Sequence, residues 1–241
     1  MPGLGTLINA AGICAGGTIG IVFSRHITME LRKSLLTTTG VITMFMGIAG
    51  AMAAMLQIRQ GELISSSSMM LLVTFALGTL IGELINIQGL IEKLGKWLQQ
   101  KSGSNGDGEF IIAFVTALMI VSIGAMAIIG AINDGANGDL SMLLFKTAFD
   151  SIVLIAVAAA LGKGCIFSVI PVVSIQGVIT LSARFAAPYI TTAALTNLSL
   201  SGAILVFCVG INLVWKNKIR LLNMVPAMVL AVAWAYLPIP I

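Results

Sequence analysis

Lys146 and Asp150 are the two residues of this sequence whose types and spacing most clearly indicate chemistry. Both lie inside an apolar segment, residues 140–161, and they are four positions apart. Side chains at that spacing meet on one face of a helix. Because charged groups are costly at membrane depth, the pair is a candidate functional site. The alternative is an ion pair that only keeps two charges inside a helical bundle, although apolar residues could replace such a pair at little cost.

Glu83 is a second ionisable candidate, in the apolar segment 69–91. No opposite charge lies within one turn of it on its own helix. It therefore either pairs across helices, with Lys146 as one candidate, or is protonated, because desolvation raises the pKa of a carboxyl group. A carboxyl group with both options would suit a proton or cation relay. The alternative is a side chain that snorkels or hydrogen-bonds to a neighbouring helix.

Asn133 and Asp134 open a polar stretch, residues 133–139, that we expect to be a turn. Its oxygen atoms could bind a hard cation, but Asn, Asp and Gly are also the residues of tight turns and helix caps, and the turn is favoured. Gln176 adds a neutral polar group that either lines a path or joins helices. The predicted transport path thus contains Asp150, Lys146, Glu83, Asp134, Asn133 and Gln176, and the identity of any bound metal is left open.

The composition is that of an integral membrane protein. Hydrophobic residues make up 58% of the chain, charged residues only 9%, and the mean hydropathy is +1.06, whereas soluble domains are about one quarter charged. Continuous apolar runs exclude a barrel. We therefore predict an all-α transmembrane bundle, a single domain over residues 1–241. Its expected partners are the lipid bilayer and a small ion or solute, and not nucleic acid, because the basic residues form short clusters between apolar segments.

Eight segments are apolar and long enough to be predicted as membrane crossings. They are residues 4–23, 35–56, 69–91, 110–132, 140–161, 165–187, 198–215 and 221–237, and a seven-helix alternative loses one short segment after Asn197. Basic residues favour cytoplasmic loops. The odd-numbered connections hold ten of them (Arg25, Arg32, Lys33, Lys93, Lys96, Lys101, Lys163, Lys216, Lys218 and Arg220), and the even-numbered ones hold two (Arg59 and Arg184). Both termini are therefore predicted outside a bacterial cytoplasmic (inner) membrane, whereas the seven-helix alternative would put them on opposite sides.

Two four-residue sequence motifs recur in the first half of the chain. Gly5-Thr-Leu-Ile8 returns at residues 78–81, and Gly50-Ala-Met-Ala53 returns at residues 124–127. Segments 4–56 and 69–132 are thus predicted to be parallel hairpin repeats. The second half, residues 140–237, shows no copy, and two of its proline residues, Pro171 and Pro226, are expected to interrupt helices. Glycine pairs such as Gly12 with Gly16 suit close helix packing or a homo-oligomer interface.

The sequence gives no sign of an enzyme. It contains no phosphate-binding loop, dinucleotide fingerprint or nucleophile elbow. Its one histidine, His26, stands among basic residues at the end of a segment. No cofactor is expected.

Several sequence motifs together resemble those of a known family. They are Gly5-Thr-Leu-Ile-Asn9, Gly124-Ala-Met-Ala-Ile-Ile-Gly-Ala-Ile-Asn-Asp-Gly135, Lys146-Thr-Ala-Phe-Asp150, Pro171 to Gly177, and Gly210-Ile-Asn-Leu213 with Lys218-Ile-Arg220 and Pro226. The whole chain resembles the DUF554 family of bacterial and archaeal membrane proteins. The resemblance implies a multi-pass protein of the cytoplasmic membrane.

From the buried charges we predict a secondary transporter or ion-conducting protein for a small cation or a proton-coupled solute. The alternative is a non-enzymatic membrane scaffold or sensory subunit in which the Lys-Asp pair is structural.

Overall fold

The computed structural model describes residues 3–59, 62–104, 106–122, 124–215 and 218–237 of the 241-residue chain. Lys216, counted above among the basic loop residues, lies outside these ranges. Ten α-helices make up most of the described part. They are α1 Leu4–Ser24, α2 Met29–Met55, α3 Ser68–Ile85, α4 Ile87–Lys101, α5 Phe110–Ser122, α6 Ala125–Asn137, α7 Ser141–Leu161, α8 Val169–Ala186, α9 Thr192–Trp215 and α10 Pro226–Trp234. The prediction of an all-α bundle is confirmed.

Short elements connect some of these helices. An antiparallel hairpin, β1 Leu56–Arg59 and β2 Glu62–Ser65, joins α2 to α3 and was not predicted. Short 3₁₀ segments cover Lys163–Ser168, Ala187–Tyr189 and Leu221–Met224.

The first three helices each pack against a helix from the second half of the chain. The pairs are α1 with α7, α2 with α9 and α3 with α10. A Cβ atom at Gly16 would lie 2.5 Å from the carbonyl oxygen of Ser151, and one at Gly47 would lie 2.5 Å from the backbone nitrogen of Phe207. Glycine therefore allows these backbones to approach closely. These glycine-rich faces are occupied within the chain, and the homo-oligomer stays a prediction.

The directions of the paired helices bring the basic connections to one end of the bundle. Helices α1 and α7 run parallel, since Gly12 contacts Thr147 and Gly20 contacts Ile155. Helix α2 runs antiparallel to α9, and α3 runs antiparallel to α10. The C-terminal ends of α1, α3, α7 and α9 therefore share one end, here called the basic end, which carries Arg25, Lys163, Lys218 and Arg220.

The predicted count of eight membrane-crossing helices is not confirmed, whereas the seven-helix alternative falls within the observed range. Six of the described helices are long and apolar enough to cross a membrane, or seven if α5 and α6 together form one broken span. The eighth predicted segment divides into a 3₁₀ turn, Leu221–Met224, and the nine-residue helix α10. A helix of that length falls well short of the roughly 20 residues that cross the hydrocarbon core.

The third predicted segment also ends early, because Asn86 adopts the left-handed conformation with a φ of 54°. Asn is one of the few residues that tolerate this conformation. The chain leaves α3 at Ile85 and continues as α4, which has one apolar and one charged face.

The fourth predicted segment is not continuous. Helix α5 ends at Ser122, α6 begins at Ala125, and their axes differ by 60°. Gly124, with a φ of 144°, lies at the break, in a conformation that favours glycine. Helix α6 then extends through Asn137 to Gly138, whose φ is 70°. The predicted turn over residues 133–139 is therefore wrong in extent, and the connection is only residues 138–140.

The predicted proline interruptions differ between the two sites: the eighth segment does divide just before Pro226, whereas the helix that contains Pro171 is unbroken. Pro171 lies in the first turn of α8, which continues without a break to Ala186, and Pro226 is the first residue of α10. Proline is tolerated at these positions because a first-turn residue has no hydrogen bond to lose inside the helix. The proposed repeat stays a prediction: residues 4–56 hold two long helices, whereas residues 69–132 hold most of α3 and all or part of three further helices.

Candidate functional site

The Lys146–Asp150 pair lies on the first half of α7, beside the face that packs against α1 through Thr147 and Ser151. Lys146 is 5% exposed and Asp150 is 2% exposed. Lys146 Nζ donates to Asp150 Oδ2, as the spacing of four residues predicts. The same amine donates to the carbonyl oxygen of Val121 at 2.7 Å. The amine is thus held by its own helix and by the end of α5.

The break between α5 and α6 explains the second of these bonds. The last four carbonyl groups of a helix lack partners within that helix, and Val121 is the penultimate residue of α5. A cation near a helix C-terminus is stabilised by the helix dipole. Lys146 therefore caps α5 at the point where the chain bends, which links the buried pair to the discontinuous helix.

A cavity of about 360 Å³ borders the pair. Its wall is largely apolar, with Lys146 and Asp150 as the charged members. The lining residues are Thr43, Met46, Gly50, Ile120, Gly124, Ala125, Met126, Ile129, Met142, Phe145, Lys146, Phe149, Asp150, Ser199, Ala203, Val206 and Val209. Phe145 is 62% exposed, so the rim reaches the outer surface of the bundle. Sequence reasoning missed the cavity, which is formed where the consecutive helices α5, α6 and α7 meet α2 and α9.

Asp134 has a different environment from the one predicted for it. Its side chain is fully buried and accepts hydrogen bonds from the backbone nitrogen atoms of Gly3 at 3.2 Å and Gly5 at 3.0 Å. These donors belong to the start of α1, so Asp134 acts as a helix cap supplied by α6. Asn133 lies beside it in α6, and its carbonyl oxygen accepts from the backbone nitrogen of Asp139. Neither side chain lines the cavity.

Two further observations concern the metal alternative for this turn. The described residues contain no group of three or more His, Cys, Asp or Glu side chains that could hold a metal ion. The exposed carboxylate of Asp139 accepts from the backbone nitrogen of Ser141 at 2.9 Å, and this bond lowers the pKa of Asp139 below its ordinary value. The acidic residues of the turn thus bond to helix N-termini.

Glu83 forms an ion pair with Arg220, which follows α9. The suggestion of Lys146 as its partner is therefore wrong. Arg220 also donates to Asn86 Oδ1 at 2.7 Å, and the pair is open to solvent, with side chains 52% exposed at Arg220 and 38% at Glu83. Sequence reasoning counted Arg220 only as a loop charge. Glu83 does not line the cavity, and its relay role stays a prediction.

Gln176 belongs to a buried polar cluster between α1, α7 and α8. Asn9 Nδ2 donates to Gln176 Oε1 at 3.1 Å, and Thr147 Oγ1 donates to Asn9 Oδ1 at 3.4 Å. Gln176 Nε2 has no acceptor among the residues that the structure describes. This cluster lies outside the cavity lining. Of the six predicted path residues, only Lys146 and Asp150 share the cavity.

These features define a multi-pass α-helical membrane protein with a buried charge pair beside an apolar cavity. The model of the family "Protein of unknown function (DUF554)" matches residues 4–236, so the chain belongs to this family. Bacillus subtilis (strain 168) "Uncharacterized membrane protein YdfK" is 26% identical over 226 residues, covering 94% of this chain and 93% of the relative. Escherichia coli (strain K12) "Uncharacterized protein YqgA" is 25% identical over 232 residues, covering 95% and 94%. No solved structure matches the chain.

Proposed function

We propose that the protein is a secondary transporter or ion-conducting protein for a small cation or a proton-coupled solute, with the cavity beside Lys146 and Asp150 as its binding site. One observation carries this proposal: both members of the buried pair line a cavity that reaches the surface of the bundle. Intramembrane ionisable residues typically mark ion or substrate pathways.

The broken helix supports the same site. Transporters often bind substrates where a membrane helix is discontinuous, because the freed backbone groups and helix ends face the substrate. Gly124 and Ala125, at the start of α6, lie in the cavity wall. Lys146, which also lines the cavity, donates a hydrogen bond to the end of α5.

The sidedness that we propose follows from the basic end. Basic residues are enriched in cytoplasmic loops, so the end that carries Arg25, Lys163 and Arg220 faces the cytoplasm of a bacterial inner membrane. Both termini then lie outside, because the segment 221–237 as a whole returns to the opposite end, where Tyr236 Oη donates to the carbonyl oxygen of Tyr189, after α8. In that orientation the connection between α6 and α7 lies at the outer side.

The rival function is a membrane scaffold or sensory subunit in which the pair only holds helices together. One observation favours it: Lys146 Nζ already has two acceptors within the chain, Asp150 Oδ2 and the Val121 carbonyl oxygen. The rival requires no access of water or solute to the cavity, and this difference can be measured.

Cysteine accessibility separates the two functions. Ser199 lines the cavity, whereas Ser201, two residues further along α9, is fully buried and does not. In a variant whose three native cysteines are replaced by alanine, we expect Ser199→Cys to react with a small membrane-impermeant thiosulfonate. Ser201→Cys is the matched control and should stay unmodified. Protection of Ser199→Cys on both sides of the membrane would favour the scaffold and contradict transport.

A further inference from the structure

The Lys146–Asp150 pair keeps unused hydrogen-bonding capacity beside the cavity. Asp150 Oδ2 accepts from Lys146, whereas no group among the described residues donates to Asp150 Oδ1. A lysine amine has three N–H donors, and that of Lys146 has two acceptors in the described part of the chain. One cationic donor and one anionic acceptor therefore remain side by side.

The rest of the cavity suits an apolar body of modest size. Apart from the pair, only Thr43 and Ser199 among the lining residues carry polar side chains. The volume of about 360 Å³ falls at the lower end of the roughly 300–1,000 Å³ typical of small-molecule sites. The wall thus matches the apolar part of a small organic solute.

A bare inorganic cation fits this wall poorly. Ca²⁺ and Mg²⁺ take about six to eight oxygen ligands, and the lining side chains offer oxygen only at Asp150, Thr43 and Ser199. The Lys146 ammonium also repels a cation, just as the Asp150 carboxylate repels an anion. Any ligand with a net charge would remain uncompensated in a low-dielectric site, which is costly.

We infer that the ligand of this cavity is a zwitterionic, net-neutral organic solute with an adjacent ammonium and carboxylate and an apolar side chain, the chemistry of an apolar amino acid. Its ammonium donates to Asp150 Oδ1, and its carboxylate accepts from Lys146 Nζ. Together with the existing pair, these bonds close a ring of four alternating charges. The start of α6, which has no side-chain cap among the described residues, lies in the same wall and adds a partial positive charge that favours the carboxylate.

This inference rests on the proposed function and selects the solute over the bare ion. Its test uses three probes with one apolar tail: norleucine, hexanoate, which lacks the ammonium, and pentylammonium, which lacks the carboxylate. Potassium chloride is the fourth probe. Binding of each to the purified full-length protein in nanodiscs is measured by calorimetry. We expect norleucine to bind on the order of tenfold or more tightly than either truncated probe, because each truncated probe brings a net charge into the site.

Two valine-to-phenylalanine variants locate the binding. Val206 lines the cavity, so Val206→Phe fills it while both charges are kept. Val178 lies on α8 outside the lining and is 65% exposed, so Val178→Phe should bind norleucine like the wild type. Val206→Phe should lose binding, and Ala203→Leu is the smaller substitution if Val206→Phe does not fold.

The inference is overturned if no norleucine binds to the wild type, if either truncated probe binds within about threefold of norleucine, or if norleucine binds to folded Val206→Phe or Ala203→Leu as it does to the wild type. Binding is measured without transport, so the two claims fail separately. Potassium or proton flux that depends on Asp150, without norleucine binding, overturns this inference and leaves transport standing. Norleucine binding without flux of any probe supports the inference and contradicts transport.

Discussion

Lys146 Nζ on α7 donates a hydrogen bond to the carbonyl oxygen of Val121, 2.7 Å away, at the end of α5. Through this bond one buried amine serves both the ion pair with Asp150 and the unpaired end of a broken helix. The bond therefore connects the charged site to the 60° bend between α5 and α6. A change at Lys146 is expected to affect helix packing and the chemistry of the cavity together.

Removing one member of the pair should destabilise the protein, whereas removing both should not. Lys146→Met leaves Asp150 as an unpaired buried charge, and Asp150→Leu leaves Lys146 as one, each at a cost of about 3–5 kcal/mol. The double variant Lys146→Met/Asp150→Leu should unfold near the wild-type temperature and lack uptake. Thermal unfolding of the purified proteins, followed by uptake into liposomes, measures both effects. Wild-type uptake by the folded double variant would support the scaffold instead.

Asp134 should stabilise the start of α1. Asp134→Ala removes the acceptor of the backbone N–H groups of Gly3 and Gly5, with an expected loss of about 1–3 kcal/mol. Hydrogen exchange at residues 5–7 should become faster. The neighbouring variant Asn133→Ala is the control, because the Asn133 side chain lies outside this contact. Equal exchange in the two variants would argue against the cap.

We expect that Gly82, where α3 contacts the segment before α10, cannot be replaced by a larger residue without loss of stability. A Cβ atom at Gly82 would lie 1.8 Å from the carbonyl oxygen of Asn223, whereas one at Gly177 has nothing within 4 Å. Gly82→Ala should therefore destabilise the protein by about 1–3 kcal/mol, while Gly177→Ala, inside α8, should stabilise it by roughly 0.5–1 kcal/mol. Thermal unfolding compares them. Equal stability of the two variants would contradict this packing.

Glu83 and Arg220 should contribute little to stability. Their ion pair is solvent-exposed, and such pairs are worth about 0–1 kcal/mol. We expect Glu83→Gln to lower the free energy of unfolding by no more than that and to leave uptake at the wild-type rate. Arg220→Gln, which removes the other partner, should match it. A strong loss of uptake in Glu83→Gln alone would instead support the relay role predicted from the sequence.

The sequence predicts the local features of this site better than the distant ones. Lys146 and Asp150 could be paired in advance because four residues bring side chains together on any α-helix. The partners of Glu83 and Asp134, namely Arg220 and the start of α1, lie more than 120 residues away in the chain. The spacing of residues in the sequence does not indicate contacts over such distances along the chain. The partner predicted for Glu83 was therefore wrong.

Several predicted helix boundaries were wrong for a different reason. Hydropathy is continuous across Asn86 and Gly124, and it cannot show a residue with positive φ that redirects the chain. The charged residues of α4 are evident in the sequence, but they run on into the polar loop after Lys101. The sequence therefore does not show that residues 87–101 form a helix with one apolar face. The cavity, in turn, depends on how five helices pack and has no signature in any one of them.

Flux through the purified protein tests the central claim most directly. Liposomes that contain the wild type, Asp150→Asn or the exposed control Glu109→Gln are compared for uptake of norleucine, K⁺, Na⁺ and protons. We predict that the wild type and Glu109→Gln move at least one of these probes at equal rates. Asp150→Asn should be slower by on the order of tenfold or more, because Lys146 then faces the cavity without its counter-charge. Full transport by Asp150→Asn of every probe that the wild type moves would contradict the assignment of this site.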